Sequence, residues 1–390
     1  MRCTISSILM MLPILLLAQK YSIGGVVLEN ATKKPIPGAI VFISNTTKGC
    51  LTDSSGNFII DHVEEVNFHL VVVAKNCETQ VFLFTPNLRD RKLRFEVSAK
   101  TKNDSLLKEV KSENNDSARL RNAFLAAFNG SSPNADECGI ANPQVLRFKY
   151  EPSFKVWSVT STEPLQIFNE SLGYKIVCQL DECYLSANYK MILCTAFSWF
   201  RESTTQHKEI AAKWKENRTL TFQGSLLHFM QAFYAGKIVQ EGFIVRTVNR
   251  IYEQQNEEEY LKAKNIDGNV SGWETDTAGT GESPHYYVDV VSKTLLPVQK
   301  MRKVDTTHQN ILLSYSPYRL QVLYRYPLPL YANVSPGWNP VSYIQMHDNK
   351  EVQVESDGMY FDPSDITITG YWDWLRIADQ LPYDYALTDK

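Results

Sequence analysis

The 390-residue chain has no Cys-x-x-Cys pair, which excludes a zinc ribbon or a thioredoxin-like redox site. It has no Gly-x-Ser-x-Gly turn, so a serine hydrolase built on that elbow lacks its central element. No stripe of Lys and Arg is present to neutralise a row of phosphates, and the net charge is −3. Nucleic acid is therefore not an expected partner. Beyond residue 18 no apolar run approaches the ~20 residues that a membrane helix needs. No repeat of solenoid length is visible.

What is present begins with export and β-structure. Arg2 heads an apolar run through Ile8–Met11 and Ile14–Leu17, and the small Ala18 follows, the layout of a cleavable signal over residues 1–18. Cys3 leaves with that signal. Six cysteines remain (Cys50, Cys77, Cys138, Cys178, Cys183 and Cys194), which suit an oxidising compartment and allow 15 pairings. Residues 19–98 read as about seven short strands. Leu93, Phe95 and Val97 alternate with Arg94, Glu96 and Ser98. Residues 68–74 are apolar on both faces, as in a central strand. Pro35, Pro37 and Gly38 make one turn and Ser55-Gly56-Asn57 another. A β-sandwich is expected.

Residues 99–117 are polar and read as a linker. From 118 to 390 the pattern is β-rich α+β, mainly antiparallel. Leu120, Ala123, Phe124, Ala127 and Phe128 predict a helix capped by Ser117 and ended by Gly130. A second helical zone spans 205–235; there Leu226, Phe229, Met230 and Phe233 share a face, Ser225 is the cap and Gly236 the stop. Residues 254–284 are polar and glycine-rich and read as an exposed loop. After Gly370-Tyr371-Trp372-Asp373-Trp374 a short amphipathic helix is expected.

The residues Gly25-Val26-Val27, Lys34-Pro35-Ile36-Pro37-Gly38-Ala39, Val41, Thr52-Asp53, Gly56-Asn57-Phe58 and Val71-Val72-Val73 appear in a characteristic order. On them the first segment resembles the carboxypeptidase-regulatory-like family, a transthyretin-like β-sandwich. The remainder resembles the long form of this family from the envelopes of Gram-negative bacteria. That likeness rests on Phe124-Leu125, Phe128-Asn129-Gly130, Ile140-Ala141-Asn142-Pro143, Leu172-Gly173-Tyr174-Lys175-Ile176, Gly224–Phe229 and Ile377-Ala378-Asp379-Gln380-Leu381-Pro382. Phe128-Asn129-Gly130 is more polar than the usual Phe-Leu-Gly. The resemblance implies an exported protein, periplasmic or associated with the outer membrane. It implies no peptidase, because the regulatory domain accompanies some carboxypeptidases without being the catalytic part.

Several residues could carry chemistry. His62-Val63-Glu64-Glu65 has the short spacing of a zinc-peptidase ligand pair, with His69 as a distant third; a charged, solvent-facing turn explains it more simply. Asp53, Ser55 and Asn57 outline a calcium loop, yet too few acids accompany them and a turn cap is preferred. Cys194, in an apolar strand, reads as a buried inert thiol. No cofactor or metal is expected. The ligand-binding candidates are Tyr371, Trp372 and Trp374, near Tyr383 and Tyr385, as a platform for a glycan or peptide, and His228 as a base. The competing reading has those rings locking the tail onto a sheet. The expectation is a non-enzymatic envelope protein that binds a protein, glycan or peptide. The alternative is a periplasmic hydrolase with its site in the C-terminal region.

Overall fold

The computed structural model describes residues 20–100, 114–266, 270–274, 285–305, 310–315, 319–328, 340–347, 351–361 and 365–387. The expected signal and most of the expected linker lie outside them. Seven strands open the chain: β1 (Tyr21–Glu29), β2 (Ile40–Ile43), β3 (Gly49–Leu51), β4 (Asn57–Val63), β5 (Phe68–Val73), β6 (Gln80–Phe84) and β7 (Leu93–Val97). They form two facing sheets, ordered β4-β1-β7 and β3-β2-β5-β6. Leu93, Phe95 and Val97 point inward with Ile23, Val41, Leu70 and Val72, as the period-two pattern requires. The Asp53 carboxylate accepts the backbone N–H groups of Ser55 and Asn57, both at 2.8 Å, and so builds the β3–β4 turn.

A second unit follows. Helix α1 (Asn114–Asn129) leads into β8 (Cys138–Ile140), β9 (Leu146–Glu151), β10 (Val156–Ser161), β11 (Leu165–Asn169), β12 (Tyr174–Ser186) and β13 (Met191–Glu202). These strands make one antiparallel sheet in which β12 pairs with β10, β11 and β13. Helix α1 begins before the expected cap, so Ser117 lies within it; Gly130, at φ +88°, ends it. Its Phe124 and Phe128 pack on the sheet with Leu165, Ile176 and Phe200. Cys183 and Cys194 face each other on β12 and β13 and form a disulfide, which corrects the expectation of a free thiol at Cys194. Cys50, Cys77, Cys138 and Cys178 are free.

Helices α2 (Lys208–Phe222) and α3 (Leu226–Tyr234) fill the second helical zone. Gly224, at φ +73°, makes the corner between them; a Cβ there would stand 2.8 Å from the Tyr324 ring. Then come β14 (Phe243–Tyr252), α4 (Glu257–Lys264), β15 (Val270–Glu274), β16 (His285–Val291), β17 (Arg302–Asp305), β18 (Asn310–Leu313), β19 (Arg319–Tyr324), β20 (Val341–Met346), β21 (Val352–Val354), β22 (Tyr360–Phe361), β23 (Ile366–Gly370) and the single turn α5 (Tyr371–Trp374). Their sheets are ordered β15-β16-β14-β19-β20-β23 and β17-β18-β21-β22. Phe229, Met230 and Phe233 of α3 enter the core they share with Val245, Val322 and Leu313. Helix α4 lies inside the stretch that the sequence pattern presents as a loop. It is short and polar, but the Asn256 carboxamide caps it, three glutamates occupy its first turn and Lys262 and Lys264 its last. Tyr260 and Ala263 bury its inner face.

The sandwich is docked on the middle sheet. The doubly apolar strand β5 explains how: Leu70 and Val72 face the sandwich core, while Val71 and Val73 face outward onto Phe42, Val177 and Trp199. The Trp199 indole also donates to the Thr47 carbonyl at 3.3 Å. Among the described residues no helix is long and apolar enough to cross a membrane. Replacing Trp199 by Ala should destabilise the protein by about 3–5 kcal/mol, the range for removing a large buried aromatic. Chemical denaturation checks this, and local proteolysis at the β2–β3 turn should rise in parallel.

Candidate functional site

A cavity of about 360 Å³ lies where the three units meet. The sandwich contributes Asn45, the middle sheet Met191, Cys194, Thr195, Ala196 and Ser198, helix α1 Ala127 and Phe128, and α3 Leu226 and Leu227. Ser225 and, from the β21–β22 hairpin, Gly358 and Tyr360 join them, and the C-terminal segment supplies Trp372, Leu375, Arg376, Ile377, Asp379, Gln380, Leu381 and Tyr383. It is held there from all sides. Asn134, fully buried, donates to Asp379 Oδ1 at 2.9 Å and to Thr221 Oγ1 at 3.0 Å, and its own oxygen accepts from Ser171 at 2.6 Å. The Asn169 amide donates to the Ala378 carbonyl at 2.8 Å. On the sandwich side Asp384 accepts the Thr47 N–H at 2.9 Å and the Thr47 hydroxyl, and the Tyr383 N–H reaches the Asn45 carbonyl at 2.7 Å.

The aromatic candidates divide by place. Tyr371 and Trp372 are 2% and 6% exposed; Trp372 lines the cavity and its indole donates to the Gly224 carbonyl at 2.8 Å. Trp374 is half-buried and donates to Ser131 Oγ at 2.9 Å. Tyr383 lines the cavity, whereas Tyr385 packs against the Phe222 ring outside it. His228 is buried among Phe222, Phe243 and Tyr324. Its Nδ1 accepts the Gly224 N–H at 3.1 Å, so Nε2 carries the proton and donates to Glu241 at 3.3 Å. Burial holds its pKa below the ordinary histidine value, against the pull of Glu241. Ser225 caps α3 by accepting the His228 N–H. Neither His228 nor Glu241 reaches the cavity wall.

His62 stands at φ +59° where the β1–β4 register shifts, with its side chain exposed. His69 instead faces the rings of Phe197 and Phe361. Among the described residues no three His, Cys, Asp or Glu side chains are grouped to hold a metal ion. Burial pushes the Cys138 and Cys178 thiols up to about 12, which leaves them unreactive at neutral pH.

Residues 23–110 match a family model. The N-terminal sandwich is a CarboxypepD_reg-like domain. Among curated proteins none matches the chain. Besides the outward face of β5, the CarboxypepD_reg-like domain meets the rest of the protein through the β2–β3 turn and the end of β4. There Met359, at the tip of the β21–β22 hairpin, enters the sandwich core. Asp357 beside it lines a recess of about 30 Å³ with His62, Glu64 and Asp384. Pattern reading finds neither Asn134 nor Asp379 as a site residue. The available signal was the setting of Asp379 in Ile377-Ala378-Asp379, a carboxylate inside an apolar run.

Two outcomes follow. Replacing Asn134 by Leu removes this donor from the buried Asp379 carboxylate and should cost about 3 kcal/mol, seen as a lower denaturation midpoint. The Asp357 carboxyl is raised to about 7, first by burial and then by Glu355 and Glu64, against the Met359 N–H bond that favours its ionised form. Between about pH 4 and 7 the folded state thus retains a proton that the unfolded chain releases, and stability falls as pH rises through that window. Asp357→Asn should match the parent at pH 4 and exceed it above pH 7, by up to ~4 kcal/mol, in melts run across that range.

Proposed function

We propose that the protein is a non-enzymatic binding protein of the bacterial cell envelope, exported by its N-terminal signal, and that the junction cavity receives a short apolar peptide segment. The observation carrying this reading is the wall chemistry. Phe128, Met191, Leu226, Leu227 and Leu381 offer an apolar seat, and Asn45, Ser198 and Gln380 add amide and hydroxyl groups to its lining. A cavity of about 360 Å³ stands at the small end of the ~300–1,000 Å³ typical of ligand sites, which suits a side chain or two and their backbone. The CarboxypepD_reg-like domain supplies one wall, so the ligand would bridge the module to the rest of the chain.

A hydrolase needs a base facing a nucleophile in one pocket. Ser198 and Ser225 face the cavity, but the nearest histidine, His228, has both ring nitrogens engaged behind it. The geometry therefore favours binding.

The test is a thermal shift of the mature chain with N-acetyl-Leu-Phe-amide and, separately, with a chitotriose glycan, each with and without chelator. A ligand that binds only the folded state raises the melting temperature, by about 2.7 kcal/mol of stabilisation at a hundredfold excess over Kd. The dipeptide should raise it independently of chelator, and Ala196→Trp, which fills the cavity, should abolish the effect. A response to the glycan alone would move the reading to sugar binding. A response requiring metal would restore the hydrolase.

A further inference from the structure

A second site lies on the outer face of the six-stranded C-terminal sheet, remote from the junction. The register places Arg246, Val248 and Arg250 on one face of β14, with Arg319 opposite Val248 on β19. Arg319 is therefore the diagonal neighbour of both other arginines, at the ~7–8 Å spacing of such pairs. Val248, at the centre, is 1% exposed. Two of the three guanidinium groups, those of Arg250 and Arg319, reach one carboxylate. Asp289, on β16 opposite Arg250, is 4% exposed and is held by Arg250 through two bonds of 2.7 and 2.8 Å. Arg319 reaches the same carboxylate only at 3.7 Å.

Arg319 carries the argument. Its side chain is 10% exposed, one nitrogen donates to Thr369, and its Nε is buried without a hydrogen-bond partner. The Arg246 Nε is likewise buried and unpartnered, and Arg246 has no carboxylate partner among the described residues. Arg250 lies over the Tyr287 ring at 3.5 Å and Arg319 over Tyr343 at 4.8 Å, which fixes both planes. Gln321 stands opposite Arg246 and beside Tyr343, adding an amide to the same row. Burial and the neighbouring Arg250 charge both disfavour the Arg319 cation, an unfavourable arrangement that a second anion would relieve.

We propose that Arg246 and Arg319 form an oxyanion-binding site on this sheet face, taking a phosphate or carboxylate group of a small ligand, with Asp289 orienting the guanidinium plane of Arg250 at its edge. The fork of each guanidinium suits the paired oxygens of either group, and the Nε of each is a buried donor without a hydrogen-bond partner. This site is independent of the cavity reading, since none of its residues lines the cavity.

The experiment is calorimetric titration and thermal shift of the whole mature chain with sodium phosphate and with sodium acetate, against sodium chloride at matched ionic strength. One or both oxyanions should raise the melting temperature above the chloride control. A response to phosphate alone identifies a phosphoryl ligand, and a response that includes acetate identifies a carboxylate. Arg246→Gln should weaken that binding at least tenfold while leaving the melting temperature in chloride unchanged. Arg319→Lys, which keeps the charge and loses the fork, should weaken it as well. The proposal is overturned if neither oxyanion exceeds chloride, or if Arg246→Gln lowers stability in chloride and leaves the oxyanion response intact.

Discussion

The architecture depends on one buried contact, the Asn134 amide against the Asp379 carboxylate. A carboxylate that is 5% exposed is tolerated only where donors replace water. Asn134 is itself fixed by Ser171 and Thr221, so one helix, two loops and the C-terminal segment share a single polar knot. Because an amide can donate to two acceptors while accepting from a third group, it converts four chain segments into one geometry. The junction cavity is a by-product of that geometry. Its far wall is the very segment that the knot holds in place.

The electrostatics of the chain divide into three classes. Exposed ion pairs such as Lys262–Glu258 decorate a helix and contribute little. Buried polar groups such as Asn134 and Asn169 join segments, each with its partners in place. The third class comprises Arg246 and Arg319, half-buried cations each with a buried Nε that has no hydrogen-bond partner. Groups of the first two classes are explained by folding alone; those of the third are not.

Much of the sandwich was legible because its signals are local. Alternation in Leu93–Val97, the turn at Asp53–Asn57 and the glycine positions each concern residues within a few places of one another. Even the docking of the sandwich was foreshadowed by β5, whose two apolar faces demand two neighbours; only the identity of the second, Trp199, was hidden. Helix α3 was legible down to its cap, since Ser225 and Gly236 act within one turn of its ends. Helix α4 was not, because its apolar face consists of little more than Tyr260 and Ala263 and its formation rests on end charges. The candidate sites were least legible. Trp372 stands out in the sequence as a ring, but its role is set by a carbonyl 148 residues away, and the apolar setting of Asp379 hints at burial without naming Asn134 as its partner. The disulfide needed the β12–β13 register, which no spacing of cysteines reveals.

The segment that closes the junction is tied to partners far upstream: Asp379 to Asn134 across 245 residues, and Asp384 to Thr47 across 337. Local pairing can complete the sandwich and the β12–β13 hairpin early, whereas these closures carry a large loop entropy and come late. The order of assembly therefore matters for the chain as it is made. Its modules can mature in sequence as they emerge, while the apolar walls of the junction remain open until the last of them arrives. During that interval Phe128, Leu226 and Leu227 lack their cover, which makes the half-assembled molecule, rather than the native one, the form most in need of chaperoning.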